Sequence, residues 1–283
     1  MRKEHLSLIL LLMLSVLLCA TAQTDWQKMG LKGKVQIIEE ENSATLFDEN
    51  GFITLTEIGG RYALASTVNY IYDSEFRLLS REQTDDSATV LNADYYTYDE
   101  SGLLTKHKEY SLSNTYVHDF TYTADKHIST KKTYDYYGKL TQAIEFYYDE
   151  TGAVAEEHYY NSNMEFTHYK AFSYDEQYNL EECLTADPKQ NQIRKFEYKY
   201  NSRYQPIEEI ITQEKQITYK INTRYDEHGN IVEKISYQPD SNRTTKQTHE
   251  YEYDEQGNWT NHKLFLDSAL QSEEYRTLTY YTE

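Results

Sequence analysis

The chain reads as an all-β protein, a long antiparallel meander of about nine β-hairpin repeats of ~26 residues forming a curled sheet or partly closed β-shell. Three observations predict this. An aromatic anchor recurs at Phe47, Tyr72, Tyr98, Tyr122, Tyr148, Tyr174, Tyr200, Tyr225 and Tyr253, followed by Asp or Asn in every copy but the fourth, which has Thr123. Six residues beyond each anchor the side chain is apolar, from Ile53 and Leu78 through Pro206, Ile231 and Trp259. A weaker aromatic beat falls halfway, at Tyr110, Tyr134, Tyr160, Tyr237 and Phe265.

Each part of the repeat has a mechanical reason. Tyr70, Tyr96, Phe120, Phe146, Phe172, Tyr198 and Tyr251 stand two before their anchors. Side chains alternate along a strand, so each such pair of rings shares one face. The Asp after the anchor suits the first position of a type I turn, where its carboxylate accepts backbone N–H groups. Gly51, Gly102, Gly152, Gly229 and Gly257 lie four beyond their anchors, where a left-handed residue closes a hairpin through a bulge. Phe76, Lys126, Tyr178 and Tyr204 occupy that position in the other copies. The apolar residue two further on begins the return strand. At the half-way beat, Tyr134-Asp135-Tyr136-Tyr137-Gly138 repeats the turn motif, so each repeat contributes two strands with a more variable turn on the second edge. Lys34 to Ile38 is the expected opening strand.

Residues 1–22 have a basic start (Arg2, Lys3), a leucine-rich run from Leu6 to Leu18, and Ala20-Thr21-Ala22 before Gln23. This is the layout of a secretory signal peptide, leaving residues 23–283 as a single β domain in a secreted or periplasmic protein. Cys19 raises a lipoprotein anchor as the alternative, but Leu18 stands where a small residue is expected. The apolar run is short for a membrane span. A formal net charge of −19 excludes nucleic acid as a partner. After cleavage Cys183 is the single cysteine, expected buried in a strand, with no internal disulfide. With 30 Tyr, 9 Phe and 2 Trp, the packing has to be built largely from rings.

The segments Tyr96-Thr-Tyr98-Asp99-Glu-Ser-Gly102-Leu-Leu104 and Tyr251-Glu-Tyr253-Asp254-Glu-Gln-Gly257-Asn-Trp259 resemble the YD repeat of the RHS family. That family includes bacterial shell-forming toxin proteins and the animal teneurins. The resemblance covers nearly all of the chain beyond residue 22, and the acidity and tyrosine content are similar to those of small secreted members of the Bacteroidetes type. It implies a wound β-shell. Ending inside its own repeat at Tyr280-Tyr281-Thr282-Glu283, the chain is not expected to enclose a toxin.

Catalytic signatures do not appear: there is no nucleophile elbow, phosphate loop or paired-His zinc motif, so no catalytic residue, cofactor or metal is expected. The 9 His, with His107, His118 and His158 among them, look scattered without ligand spacing. Glu156-Glu157-His158 reads as a solvated strand edge rather than acid–base machinery. The acidic turns could form a ridge for Ca²⁺ or a basic partner, but Asp shaping the turn is the simpler reading. The anchor rings are expected in the core. Tyr95, Tyr147 and Tyr159, expected on the face opposite the anchors, are the candidate ligand-facing rings. An outer-membrane barrel is disfavoured because Leu104 to Tyr110 is polar on both sides. The function expected is a non-enzymatic structural or interaction module at the cell envelope, its partner an envelope protein or a glycan. A carbohydrate-binding module is the alternative, with an enzyme ranked below both.

Overall fold

The computed structural model describes residues 23–282 apart from 61–62 and 190; the signal-peptide segment, residues 1–22, lies outside the described residues. Among the described residues one short helix, α1 (Asp25–Lys28), precedes the strands. They are β1 (Val35–Glu40), β2 (Ser43–Phe47), β3 (Ile53–Gly60), β4 (Ala63–Tyr72), β5 (Leu78–Asp85), β6 (Val90–Tyr98) and β7 (Leu104–Ser111). Next come β8 (Thr115–Tyr122), β9 (Ile128–Asp135), β10 (Leu140–Tyr148), β11 (Val154–Tyr160), β12 (Phe166–Tyr174), β13 (Leu180–Ala186) and β14 (Gln192–Tyr200). The last are β15 (Pro206–Gln213), β16 (Gln216–Tyr225), β17 (Ile231–Gln238), β18 (Arg243–Tyr253), β19 (Trp259–Leu266) and β20 (Ala269–Tyr280).

The expected curled sheet or partly closed shell of about nine hairpins is corrected here. Each strand pairs antiparallel with the next, and β1 also pairs with β20, so twenty strands close into one barrel. The reason lies in a tenth repeat divided between the chain ends. At every turn the anchor pairs with the apolar residue six beyond it, as in Tyr98↔Leu104 and Tyr253↔Trp259. Across the seam the same pair is Tyr280↔Val35. Tyr281 N–H donates to Lys34 O at 2.9 Å, the bond that Asp254 N–H makes to Asn258 O, also at 2.9 Å. Gly33, with φ +73°, takes the left-handed place of the turn glycine. Closure removes both sheet edges, which a curled sheet would have left open.

The turns form as the residue types dictate. Asp99 N–H donates to Leu103 O (2.9 Å) and Gly102 N–H to Asp99 O (3.0 Å), while Asp99 Oδ1 accepts from Ser101 and Leu103 N–H (each 2.9 Å). This is a type I turn closed by a bulge, and the register slips by one residue between Thr97 and Tyr98. Where glycine is missing the conformation persists: Phe76, Lys126, Tyr178 and Tyr204 all have φ between +59° and +65°. At Gly102, φ is +83° and a Cβ would stand 2.8 Å from Arg77 Nη1. Gly102→Val is therefore expected to lower unfolding free energy by about 1–2 kcal/mol, read from the urea midpoint. An unchanged midpoint would contradict this account of the turn.

Tyrosine hydroxyls then join one repeat to the last. Tyr98 donates to Leu78 O (3.0 Å), Tyr122 to Leu104 O (2.7 Å), Tyr148 to Ile128 O (2.8 Å), Tyr174 to Val154 O (2.9 Å) and Tyr200 to Leu180 O (2.8 Å). At the start of the ring α1 stands in for a preceding repeat. Its Asp25 Oδ2 accepts from Ile53 N–H (2.9 Å) and Tyr72 OH (3.1 Å), and Trp26 Nε1 donates to Val35 O (2.8 Å). Two apolar clusters complete the packing. One, at the seam, holds Val35, Ile38 and Phe47 against Trp26, Leu278 and Tyr280. The other holds Cys183, Phe196 and Ile211 against Phe172, Tyr198 and Tyr219.

Candidate functional site

Cross-strand partners share a face, so the pairing assigns every side chain to the anchor face or the opposite one. Tyr95 pairs with Lys108 on the opposite face, half-buried, with the Lys108 ammonium 5.6 Å from its ring centre. A hydrogen bond to Glu82, with burial added, pushes its hydroxyl up to about 12. Tyr147 is also on the opposite face and is 44 % exposed. Tyr159 lies elsewhere. It pairs with Ile144, on the anchor face, because Tyr147 pairs with Glu156 and Tyr148 with Val154, leaving Ala155 as an extra residue that reverses the alternation. Only 7 % exposed, Tyr159 donates to Glu157 Oε2 (2.5 Å) and stacks on His168 at 4.3 Å. The three rings thus occupy three separate places.

Around Tyr147 the opposite face carries a strip of rings centred on His158. Tyr147, Phe166 and Tyr169 lie 4.5, 5.3 and 6.0 Å from the His158 ring, and Tyr160 lies 5.7 Å from Phe166. Glu145 Oε2 accepts from both Tyr147 OH (3.0 Å) and Tyr160 OH (2.8 Å), and His158 Nε2 sits 2.6 Å from Glu156 Oε2. Phe166 is 36 % exposed, so the strip is open to solvent. Sequence spacing pointed to Tyr147 alone; the others are gathered by the β10–β11–β12 register.

The reading of Glu156 to His158 as a solvated edge is corrected by this geometry. β11 is paired on both sides, with β10 and β12, so no edge lies there, and Glu157 is buried on the anchor face, 3.8 Å from Lys170 Nζ. The turn aspartates are engaged as the simpler reading held: Asp149 Oδ1 accepts from Thr151 and Ala153 N–H at 2.8 and 3.0 Å. Cys183 is buried at 1 % exposure, and burial pushes its thiol up to about 11.

Both faces carry charge at mid-strand. Lys106–Asp119 (2.9 Å) and Lys246–Glu233 (2.6 Å) bridge strands on the opposite face, and Arg81–Asp94 (3.4 Å) does so on the anchor face. These pairs place charge on both faces of the strands that carry them. Among the described residues no helix is long and apolar enough to cross a membrane. Two shallow surface depressions, of about 290 and 260 Å³, are lined by residues such as Arg203, Tyr225 and Asp226, and Lys106, Asp119 and Tyr134; neither holds a histidine.

The histidines are less scattered than their sequence positions suggest. His107 and His118 lie symmetrically about the β7–β8 turn and pair directly, and the ligand-type atoms of His107, Glu109 and His118 all fall within 4.8 Å of one another. The symmetry about Ser111-Leu112-Ser113-Asn114 was the available signal.

The chain matches no protein-family model, and no curated protein matches it. Among solved structures it is similar to a porin-like protein from Bacteroides uniformis, at 11 % identity and a TM-score of 0.41, covering 88 % of this chain and 97 % of that one. A porin-like protein from Bacteroides vulgatus shows 10 % identity and a TM-score of 0.28, covering 87 % and 98 %. The Tc holotoxin pore of Photorhabdus luminescens shows 16 % identity and a TM-score of 0.29 over 84 % of this chain, which spans 15 % of that one.

Proposed function

We propose that this chain is an exported, non-enzymatic repeat β-barrel that acts as an interaction module at the cell envelope. The ring strip around His158 on the opposite face carries the reading. Solvent-open aromatic rings in mutual contact, flanked by the Glu145 and Glu156 carboxylates, are the composition of a recognition surface rather than of a packed core. The signal-like layout of residues 1–22 supports export, and charge on both faces supports a barrel bathed in water.

The test is capture from an envelope fraction by the immobilised protein and by a Tyr147→Ser/Phe166→Ser double variant with unchanged circular dichroism. The wild-type chain is expected to retain a protein or polymer that the variant releases. Equal capture by both, or none by either, would sink the proposal.

One observation favours a second reading, that the polymer is a glycan. The Tyr147 and Tyr160 hydroxyls share one carboxylate, Glu145, which can also accept from sugar hydroxyls while the neighbouring rings cover apolar sugar faces. Saturable binding to a glycan panel, lost in the same double variant, is the expected result; a blank panel removes this reading and leaves the first standing.

A further inference from the structure

We propose that His107, Glu109 and His118, on the anchor face of β7 and β8, form a binding site for a divalent transition-metal ion of the zinc type. The donor set is two imidazoles and one carboxylate, which suits zinc and its first-row neighbours and disfavours the hard, all-oxygen cations. His118 Nε2 lies 3.1 Å from Glu109 Oε1, and His107 Nδ1 lies 3.7 Å from the same oxygen. A tetrahedral zinc with bonds of about 2.0–2.1 Å separates its ligand atoms by about 3.3 Å, between those two values. Small side-chain adjustments therefore bring all three atoms onto one ion.

The second nitrogen of each ring is already held. His107 Nε2 lies 2.9 Å from Asp94 Oδ1, so that nitrogen carries the proton and leaves the Nδ1 lone pair free. His118 Nδ1 lies 2.9 Å from Thr133 Oγ1, which holds the ring with Nε2 facing Glu109. Arg81 Nη1, 3.4 Å from Asp94 Oδ2, holds that carboxylate in turn, and Tyr96 stacks on the His107 ring at 4.5 Å and 8°. Orientation by a carboxylate and a hydroxyl is how ligating histidines are fixed in metal sites.

The observation that separates a metal site from a merely structural histidine pair is His118 Nε2. The residue is 6 % exposed, and that nitrogen meets the Glu109 carboxylate oxygen at 3.1 Å. A structural pair would need only that contact, whereas here the His107 imidazole converges on the same oxygen, so a cation among the three atoms would bond to all of them. Glu109, with its side chain 48 % exposed, leaves a path for the ion and an open coordination position for water or a ligand group.

The test is calorimetric titration of the chelator-treated protein with Zn²⁺, together with the visible spectrum of its Co²⁺ form. One equivalent is expected to bind, with Co²⁺ bands of a nitrogen–oxygen site. His118→Gln and Glu109→Gln are each expected to weaken binding at least 100-fold. Asp94→Asn, which touches only the outer partner of His107, is expected to weaken it about 10- to 100-fold. His127→Gln, in the β8–β9 turn where it stacks on Tyr148, should leave it unchanged. Glu109→Gln alters a half-exposed side chain and keeps its shape, so it guards against a folding artefact in the His118 variant. Absence of binding, or binding that survives both Glu109→Gln and His118→Gln, overturns the proposal.

Discussion

Replacing Asn258 with Ala is expected to cost the protein about 2–3 kcal/mol of stability, more than any other turn amide. Asn258 is 2 % exposed and stands at the seam. Its Oδ1 accepts from Lys32 N–H (2.9 Å), and its Nδ2 donates to Lys32 O (2.8 Å) and to Tyr280 OH (2.7 Å). One amide thus binds the incoming chain just ahead of Gly33 to the outgoing anchor of the divided repeat. Alanine would leave the Lys32 backbone N–H and C=O without these partners, and unmet polar groups are costly where water is excluded. Asn230 occupies the same place one repeat earlier, where its Nδ2 donates to Tyr253 OH (2.9 Å), but no chain end depends on it. Asn230→Ala should therefore cost about 1 kcal/mol or less. Loosening of the seam would expose the β1 and β20 edges, so the Asn258 variant is also expected to self-associate in size-exclusion chromatography. Equal loss of stability in the two variants, with both monomeric, would mean the seam closes without this clamp.

What the sequence made legible was local. An aromatic, an Asp and a Gly within five residues specify a turn by themselves, so the strands and their bulged hairpins could be placed from pattern alone. The turn even survives Tyr178 and Tyr204 at the left-handed position, because Asp175 and Asn201 still hold the backbone through Oδ1. Closure was hidden because its motif is cut. Tyr280 and Tyr281 lie at one end of the chain, Gly33 and Val35 at the other, and no window of one repeat length contains both. The face of Tyr159 was misread for a different reason. Alternation by two holds only between bulges, and Ala155 inserts one residue between Tyr148 and Tyr159. His107, Glu109 and His118 were overlooked because ligand spacing was sought along the chain, whereas strand pairing brings residues together by reflection through a turn.

Raising the pH through about 10 to 12 is expected to unfold the barrel, and the tyrosine ladder gives the sign. Burial pushes the hydroxyls of Tyr122, Tyr148, Tyr174 and Tyr200 up to about 12, and that of Tyr251 likewise, from the ordinary tyrosine value of 10.0. In the folded chain these hydroxyls keep their protons as donors to backbone carbonyls, such as Tyr148 OH to Ile128 O at 2.8 Å and Tyr251 OH to Ile231 O at 3.2 Å. The folded state therefore binds more protons than the unfolded one between the two pKa values, and stability falls as pH rises there. The contribution is fully present below about pH 10 and is lost as pH climbs through about 12. Because the same bond recurs in successive repeats, the losses accumulate around one ring rather than at one site. The urea midpoint should hold steady up to about pH 9 and then drop steeply, with tyrosinate absorbance rising in the same transition. In Tyr148→Phe, the midpoint at neutral pH should fall by about 1 kcal/mol of stability, while the alkaline slope becomes shallower because one linked proton is gone. If the tyrosinate signal instead develops fully while the barrel stays folded, the hydroxyls are not held by the carbonyls, and the ladder does not join the repeats.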